Sequence, residues 1–285
     1  MNTSTRLASF GVALVAVLGL GAGLGAAVGP DVADIEAEAP APIGQGVVSA
    51  AEGYRLSPTS TELDPDGGTF RFSIQDQDGT PIHDFTPIHE RDLHLIVVNR
   101  ELTAFHHVHP TLAADGTWSI DLPALPPGSY RAVADFQVAD GPRLALGTDL
   151  AVAGPYQPAD TAGPTWQATT DGYDVELAAE RSDTGEVTAT LTVRRNGELV
   201  TDLEPYLGAS GHLVAMRHGD LAYAHVHPVE DDVAPGVVTF DAELSSAGRY
   251  GLFFDFKHDG SVHTAAFTFD QGPVTGTPDM EMEDR

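Results

Sequence analysis

Six of the chain's 12 histidines recur at matched positions: His94, His107 and His109, then His212, His225 and His227. In each set one His stands 13 residues ahead of an H-V-H-P tetrapeptide, from 94 to 107 and from 212 to 225. Neutral imidazole is a good ligand for Zn²⁺ and Cu²⁺, and three of them make a facial site. The spacing suits a hairpin: a short strand, a turn (NREL or RHGD) and a returning strand. Residues i and i+2 of a strand face the same side. His107 and His109 therefore face together, as do His225 and His227, and the His on the neighbouring strand approaches both. Pro110 and Pro228 bias the residue before them toward extended backbone and end the strand. Asp135 and Asp255 also recur, within RAVADF and LFFDF. A carboxylate among apolar neighbours is costly unless paired, so each is a candidate to orient a ligand imidazole or to bind the metal itself. His258 and His263 flank the Asp259-Gly260 turn, and His263 is a further candidate that would close the second site. His83, His89, His106 and His218 have no His counterpart and are expected on the surface.

These residues recur because the chain repeats. At an offset of 118, the step from His94 to His212, residues 78–110 match 196–228 without a gap and with ten identities. Background usage gives about two. After a two-residue slip, Gly128-Ser129-Tyr130 meets Gly248-Arg249-Tyr250, and Asp135-Phe136 meets Asp255-Phe256. Such self-similarity marks a duplicated structural unit.

Each unit reads as all-β. Phe70, Phe72 and Ile74 alternate with polar residues, and so do Val187, Ala189, Leu191 and Val193. Asp78-Gly79 and Asn196-Gly197 are hairpin turn dipeptides. HLIVV (94–98) and HLVAM (212–216) are continuous apolar runs, expected of central strands covered on both faces. PPGSYRAVADF and SAGRYGLFFDF have the pattern of a tyrosine corner. The fold expected is two tandem immunoglobulin-like β-sandwich domains, at 47–154 and 163–271, joined by a Pro/Gly-bearing linker at 155–162 and ending in a disordered acidic tail at 272–285.

Ahead of them, residues 1–29 carry one arginine and then an uncharged run, either a signal peptide or a retained membrane anchor helix. Gly21, Gly25 and Gly29 fall four apart on one helix face. Both alternatives put the remainder outside the cytoplasm. Residues 30–46 are acidic and Pro/Gly-bearing, a linker composition. Asp and Glu total 42 against 14 Lys and Arg, a net charge of -28. That charge repels nucleic acid and anionic headgroups, and it attracts cations. The chain has no cysteine, which excludes disulfides, thiolate zinc sites, iron–sulfur clusters and blue-copper sites.

HERDLHLIVVNRELTAFHHVHP and EPYLGASGHLVAMRHGDLAYAHVHP, with the leader ending GAAVGP and the closing FKHDGSVHTAAF, resemble actinobacterial secreted or membrane-anchored heavy-metal-binding proteins. That resemblance implies metal handling in the cell envelope. FHHVHP is also similar to the copper-ligand strand of copper/zinc superoxide dismutases, which would give copper to His107 and His109. The chain departs from that family in lacking a cysteine pair and a glycine-rich zinc loop after the motif.

The function expected is extracytoplasmic binding of copper or zinc, for sequestration or delivery, without a catalytic residue and with no nucleic-acid partner. Two alternatives stay open. One is a three-His zinc hydratase or hydrolase. The other is a structural envelope module whose histidines are not ligands.

Overall fold

The computed structural model describes residues 41–159, 163–182, 186–224, 226–229, 234–244 and 246–272. The leader, the linker up to Pro40, His225 and the tail from 273 lie outside these residues.

Among the described residues, all regular structure is β. The first repeat is two sheets face to face, antiparallel except that Glu62–Leu63 pairs with Arg143–Val152 in parallel. One orders Ala50–Ala51, Tyr54–Pro58, Gly68–Gln75, Trp118–Leu122 and Thr111–Leu112. The other orders Glu62–Leu63, Arg143–Val152, Gly128–Val138, Leu93–Asn99 and Phe105–Val108. Alternation fills the space between them. Phe70, Phe72, Ile74 and Trp118 from one sheet meet Leu95, Val97, Ala132, Ala134 and Phe136 from the other. The second repeat copies this plan. Gln167–Thr170, Tyr173–Arg181, Glu186–Arg195, Val237–Glu243 and Val226–Pro228 face Tyr223–Ala224, His212–Arg217, Gly248–His258 and Ser261–Gln271.

The tyrosine corners form in both repeats: Tyr130 Oη donates to Pro126 O at 2.8 Å and Tyr250 Oη to Ser246 O at 3.0 Å. Asn196 and Gly197 both take left-handed backbone, φ 53° and 81°, as a two-residue type I′ hairpin requires.

The apolar runs are buried on both sides, and the second cover is the other repeat. Leu93–Asn99 is buried at every position. Leu95 and Val97 face their own core, while Ile96 and Val98 join Leu102, Val133 and Ala145 against Val214, Met216, Leu221 and Phe253. Phe105 stacks on Phe253 with ring centres 4.0 Å apart and planes 3° from parallel. At roughly 1.5–3 kcal/mol per buried aliphatic side chain, this interface is a sizeable part of the core.

The linker expectation fails for residues 41–46. They lie along the first repeat's sheet: Ile43 bridges Leu144 in parallel, and Gly46 N donates to Ala145 O at 2.8 Å. Gln45 O also accepts from Tyr223 N at 2.8 Å, so this strap touches both repeats. The approach is close because Gly147 has no side chain: a Cβ there would lie 1.9 Å from Gly46 O.

Candidate metal centre

His94 shares a strand face with Ile96 and Val98, so the pleat aims it into the seam between the repeats. Ile96 pairs with His107 across the hairpin, which brings the H-x-H segment alongside. His94 Nδ1 lies 3.1 Å from His107 Nε2 and 3.1 Å from His109 Nε2. The three ring centres are 5.3, 4.8 and 5.0 Å apart. Three imidazoles on one tetrahedral ion, with Zn–N bonds of 2.0–2.1 Å, place their nitrogens about 3.3 Å apart and their ring centres about 5 Å apart. His94, His107 and His109 are the group among the described residues that fits a metal ion.

The outer nitrogens fix the tautomers. His94 Nε2 is 2.8 Å from Ile88 O, and a carbonyl can only accept, so Nε2 carries the hydrogen and Nδ1 presents a lone pair. His107 Nδ1 is 2.9 Å from Asp255 Oδ2, and the carboxylate accepts. A neutral His107 then presents Nε2 as a lone pair as well. Two lone pairs thus face each other at 3.1 Å. Without a cation or a proton between them, that contact is repulsive.

Burial favours the neutral form of His94 and of His109, as ligation requires. His94 is 4% exposed, and burial first, then the nearby His107, lowers its pKa from 6.5 to about 4. His109 is lowered to about 2, again by burial first and then by His107 and His94.

Asp255 belongs to the second repeat, yet it serves a ligand of the first. Its other oxygen accepts from Thr264 Oγ1 at 2.6 Å. Among the described residues, Asp135 is partnered by a guanidinium and a phenol, with no imidazole. Arg143 holds it from Nε to Oδ1 at 3.2 Å and from Nη2 to Oδ2 at 2.9 Å, and Tyr223 Oη donates to Oδ2 at 3.2 Å. The pair is buried, with Asp135 2% and Arg143 7% exposed. Arg143 was not singled out in the sequence.

His212 sits beside the triad rather than in it, its ring 6.5 Å from His94 and 6.3 Å from His107. Its Nε2 donates to Tyr206 O at 3.0 Å, repeating the His94–Ile88 bond one unit later. Burial, then His89, lowers its pKa to about 3. His89, expected on the surface, is half-buried with its ring 5.1 Å from His212. It stands with Glu90 on left-handed backbone, φ 46° and 65°, in the turn between Ile88 and Arg91.

His225 lies outside the described residues. His227 pairs with Asp241 in the opposite sheet. The crossing between sheets comes earlier here: Val108 still pairs with Leu95, whereas its counterpart Val226 already pairs with Ala242. His263 is not brought to the triad. It pairs with Phe256, so it takes the core face of its strand and not the Asp255 face. There its Nδ1 donates to Asp171 Oδ2 at 2.8 Å, with its ring 4.6 Å from Tyr173.

A family described as a domain of unknown function, DUF8832, matches residues 49–153 and again 168–272. The chain belongs to the DUF8832 family. Each DUF8832 repeat corresponds to one β-sandwich, and the triad lies wholly within the first. A search of curated proteins finds no match. Solved structures similar to the tandem DUF8832 chain include a marsupial T cell receptor, at 9% identity and a TM-score of 0.24, covering 77% of this chain and 100% of that one. Domains 5–6 of the S-layer protein SbsC align at 14% identity and a TM-score of 0.22, covering 76% and 97%. The chicken interferon gamma receptor alpha chain aligns at 13% and 0.24, covering 75% and 98%. Likenesses at these TM-scores carry no functional information.

Proposed function

We propose that the protein binds a copper or zinc ion through His94 Nδ1, His107 Nε2 and His109 Nε2, for sequestration or delivery outside the cytoplasm. The observation that carries this is the convergence of three ring nitrogens, His94 Nδ1 lying 3.1 Å from both His107 Nε2 and His109 Nε2, with Ile88 O and Asp255 holding outer nitrogens. A cation placed among them bonds to all three. The net charge of -28 favours capture of cations, and the apolar leader supports a site beyond the membrane.

Calorimetry with Zn²⁺ and Cu²⁺ tests it. The wild-type chain binds with a Kd below about 10 µM, and His107→Ala weakens binding at least about 100-fold, roughly 2.7 kcal/mol. Absence of binding in the wild type, or unchanged affinity in His107→Ala, overturns it. Three imidazoles leave a fourth position on a tetrahedral ion, which is the observation favouring the hydratase or hydrolase alternative. Ester hydrolysis and CO₂ hydration by the zinc-loaded chain, measured against His107→Ala, separate that alternative from plain binding.

A further inference from the structure

The two repeats turn the same strand face toward each other, His94-Ile96-Val98 from one and His212-Val214-Met216 from the other. Each first His has its repeat's Asp directly opposite in register: His94 with Asp135, His212 with Asp255. Yet the two carboxylates have different work. Asp255 reaches across the seam to His107 Nδ1 at 2.9 Å. Asp135 instead holds partners of another kind. The Arg143 guanidinium grips both its oxygens, and Tyr223 adds a third donor. Under the shift that places Asp135 on Asp255, Arg143 stands where the second repeat has His263. A guanidinium does not lose its proton in a protein, so Arg143 keeps its charge beside this carboxylate. The second repeat also moves its H-x-H strand to the opposite sheet earlier than the first does.

The geometry points to a metal site shared between the repeats, made of the three imidazoles of the first and completed by Asp255 of the second, with the bound ion fastening the repeats together. This rests on the metal-binding function proposed above. A metal on Nε2 draws electron density from His107 and strengthens the charge-assisted bond from Nδ1 to Asp255. An ion that binds best while Asp255 is in place stabilises the docked arrangement of the repeats by the same free energy. Asp255 is a positioning residue: it acts on the ion through His107.

The test uses the full chain and Zn²⁺ alone. Native mass spectrometry and calorimetry show Zn²⁺ bound to the wild-type chain. Asp255→Asn, which keeps an acceptor but removes the charge, weakens binding about 10–100-fold. The Cu²⁺ EPR spectrum shifts in the same variant, because His107 becomes a weaker donor, and a merely structural role would leave that spectrum alone. In the wild type, Zn²⁺ slows hydrogen exchange in both Phe105–Val108 and Gly248–His258, a readout that does not depend on any variant folding. An Asp255→Asn variant with wild-type affinity and spectrum overturns the inference, as does protection confined to the first repeat. If His107→Ala loses binding while Asp255→Asn keeps it, the metal site stands and the shared site falls. If the wild type binds no Zn²⁺ or Cu²⁺, both fall.

Discussion

A buried imidazole is a ligand in waiting, and it is also a liability in acid. His94, His109 and His212 have pKa values lowered from 6.5 to about 4, 2 and 3, in each case chiefly by burial. In the unfolded chain the same residues titrate near 6.5. Below that pH the unfolded state takes up protons that the folded state refuses, so stability falls as pH falls from about 6.5 toward 4. Above 6.5 all three are neutral in both states and the effect is absent. Urea midpoints of the metal-free chain at pH 7.5, 5.5 and 4.5 should therefore drop in that order, and a flat profile across this window would count against buried neutral rings. Arg143 supplies a second prediction at this scale. Its removal in Arg143→Met leaves Asp135, 2% exposed, without its guanidinium and with Tyr223 as the remaining donor among the described residues. Breaking a buried pair from one side costs about 3–5 kcal/mol. The double variant Arg143→Met/Asp135→Leu should recover most of that loss in chemical denaturation, since both ends of the pair are then apolar.

At the scale of elements, pairing register explains what the sequence could and could not show. The hairpin from His94 to the H-x-H pair was legible because spacing, alternation and the following proline all bear on one local turn. The tyrosine corners were legible for the same reason, their bonds spanning four residues. The face that His263 takes was signalled in the sequence. The Asp259-Gly260 turn pairs His258 with Ser261, which sets His263 opposite Phe256, one of the core-facing aromatics, and Thr264 opposite Asp255. Parity alone sets it on the face opposite to that of Asp255. The contact between His107 and Asp255 was not legible, because 148 residues separate them and only sheet-on-sheet packing joins them. The strap at 41–46 was hidden by its composition: a Pro/Gly-bearing segment reads as linker unless one knows that Gly147 opens room for it. Gly147→Ala would put a methyl carbon 1.9 Å from Gly46 O. The strap should then lift, breaking the bonds of Gly46 N to Ala145 O and of Tyr223 N to Gln45 O. Limited proteolysis would show it as faster cleavage within 41–48, with the two sandwiches left intact.

At the scale of the molecule, the seam makes two sandwiches into one body. Each repeat has its own core, built around Trp118 and Phe72 in the first and Phe240 and Phe254 in the second. Those cores alone would allow two independent transitions. The third cluster belongs to neither, since five of its buried residues come from the first repeat and four from the second. Separating the repeats would expose Ile96, Val98, Val214, Met216 and Phe253 to water, so opening either sandwich costs the other its cover. The wild-type chain should unfold in a single calorimetric transition. Phe253→Ala removes the ring stacked on Phe105 without touching either sandwich core, at a cost of about 3–5 kcal/mol if the cavity does not collapse. That loss falls on the coupling between repeats and not on one domain. The transition should split into two, and added Zn²⁺ should draw them back together if the ion ties His107 to Asp255. A uniform shift of one unsplit peak would instead mean that the sandwiches are coupled elsewhere, through the strap or the bond from Arg100 Nη2 to Gly219 O.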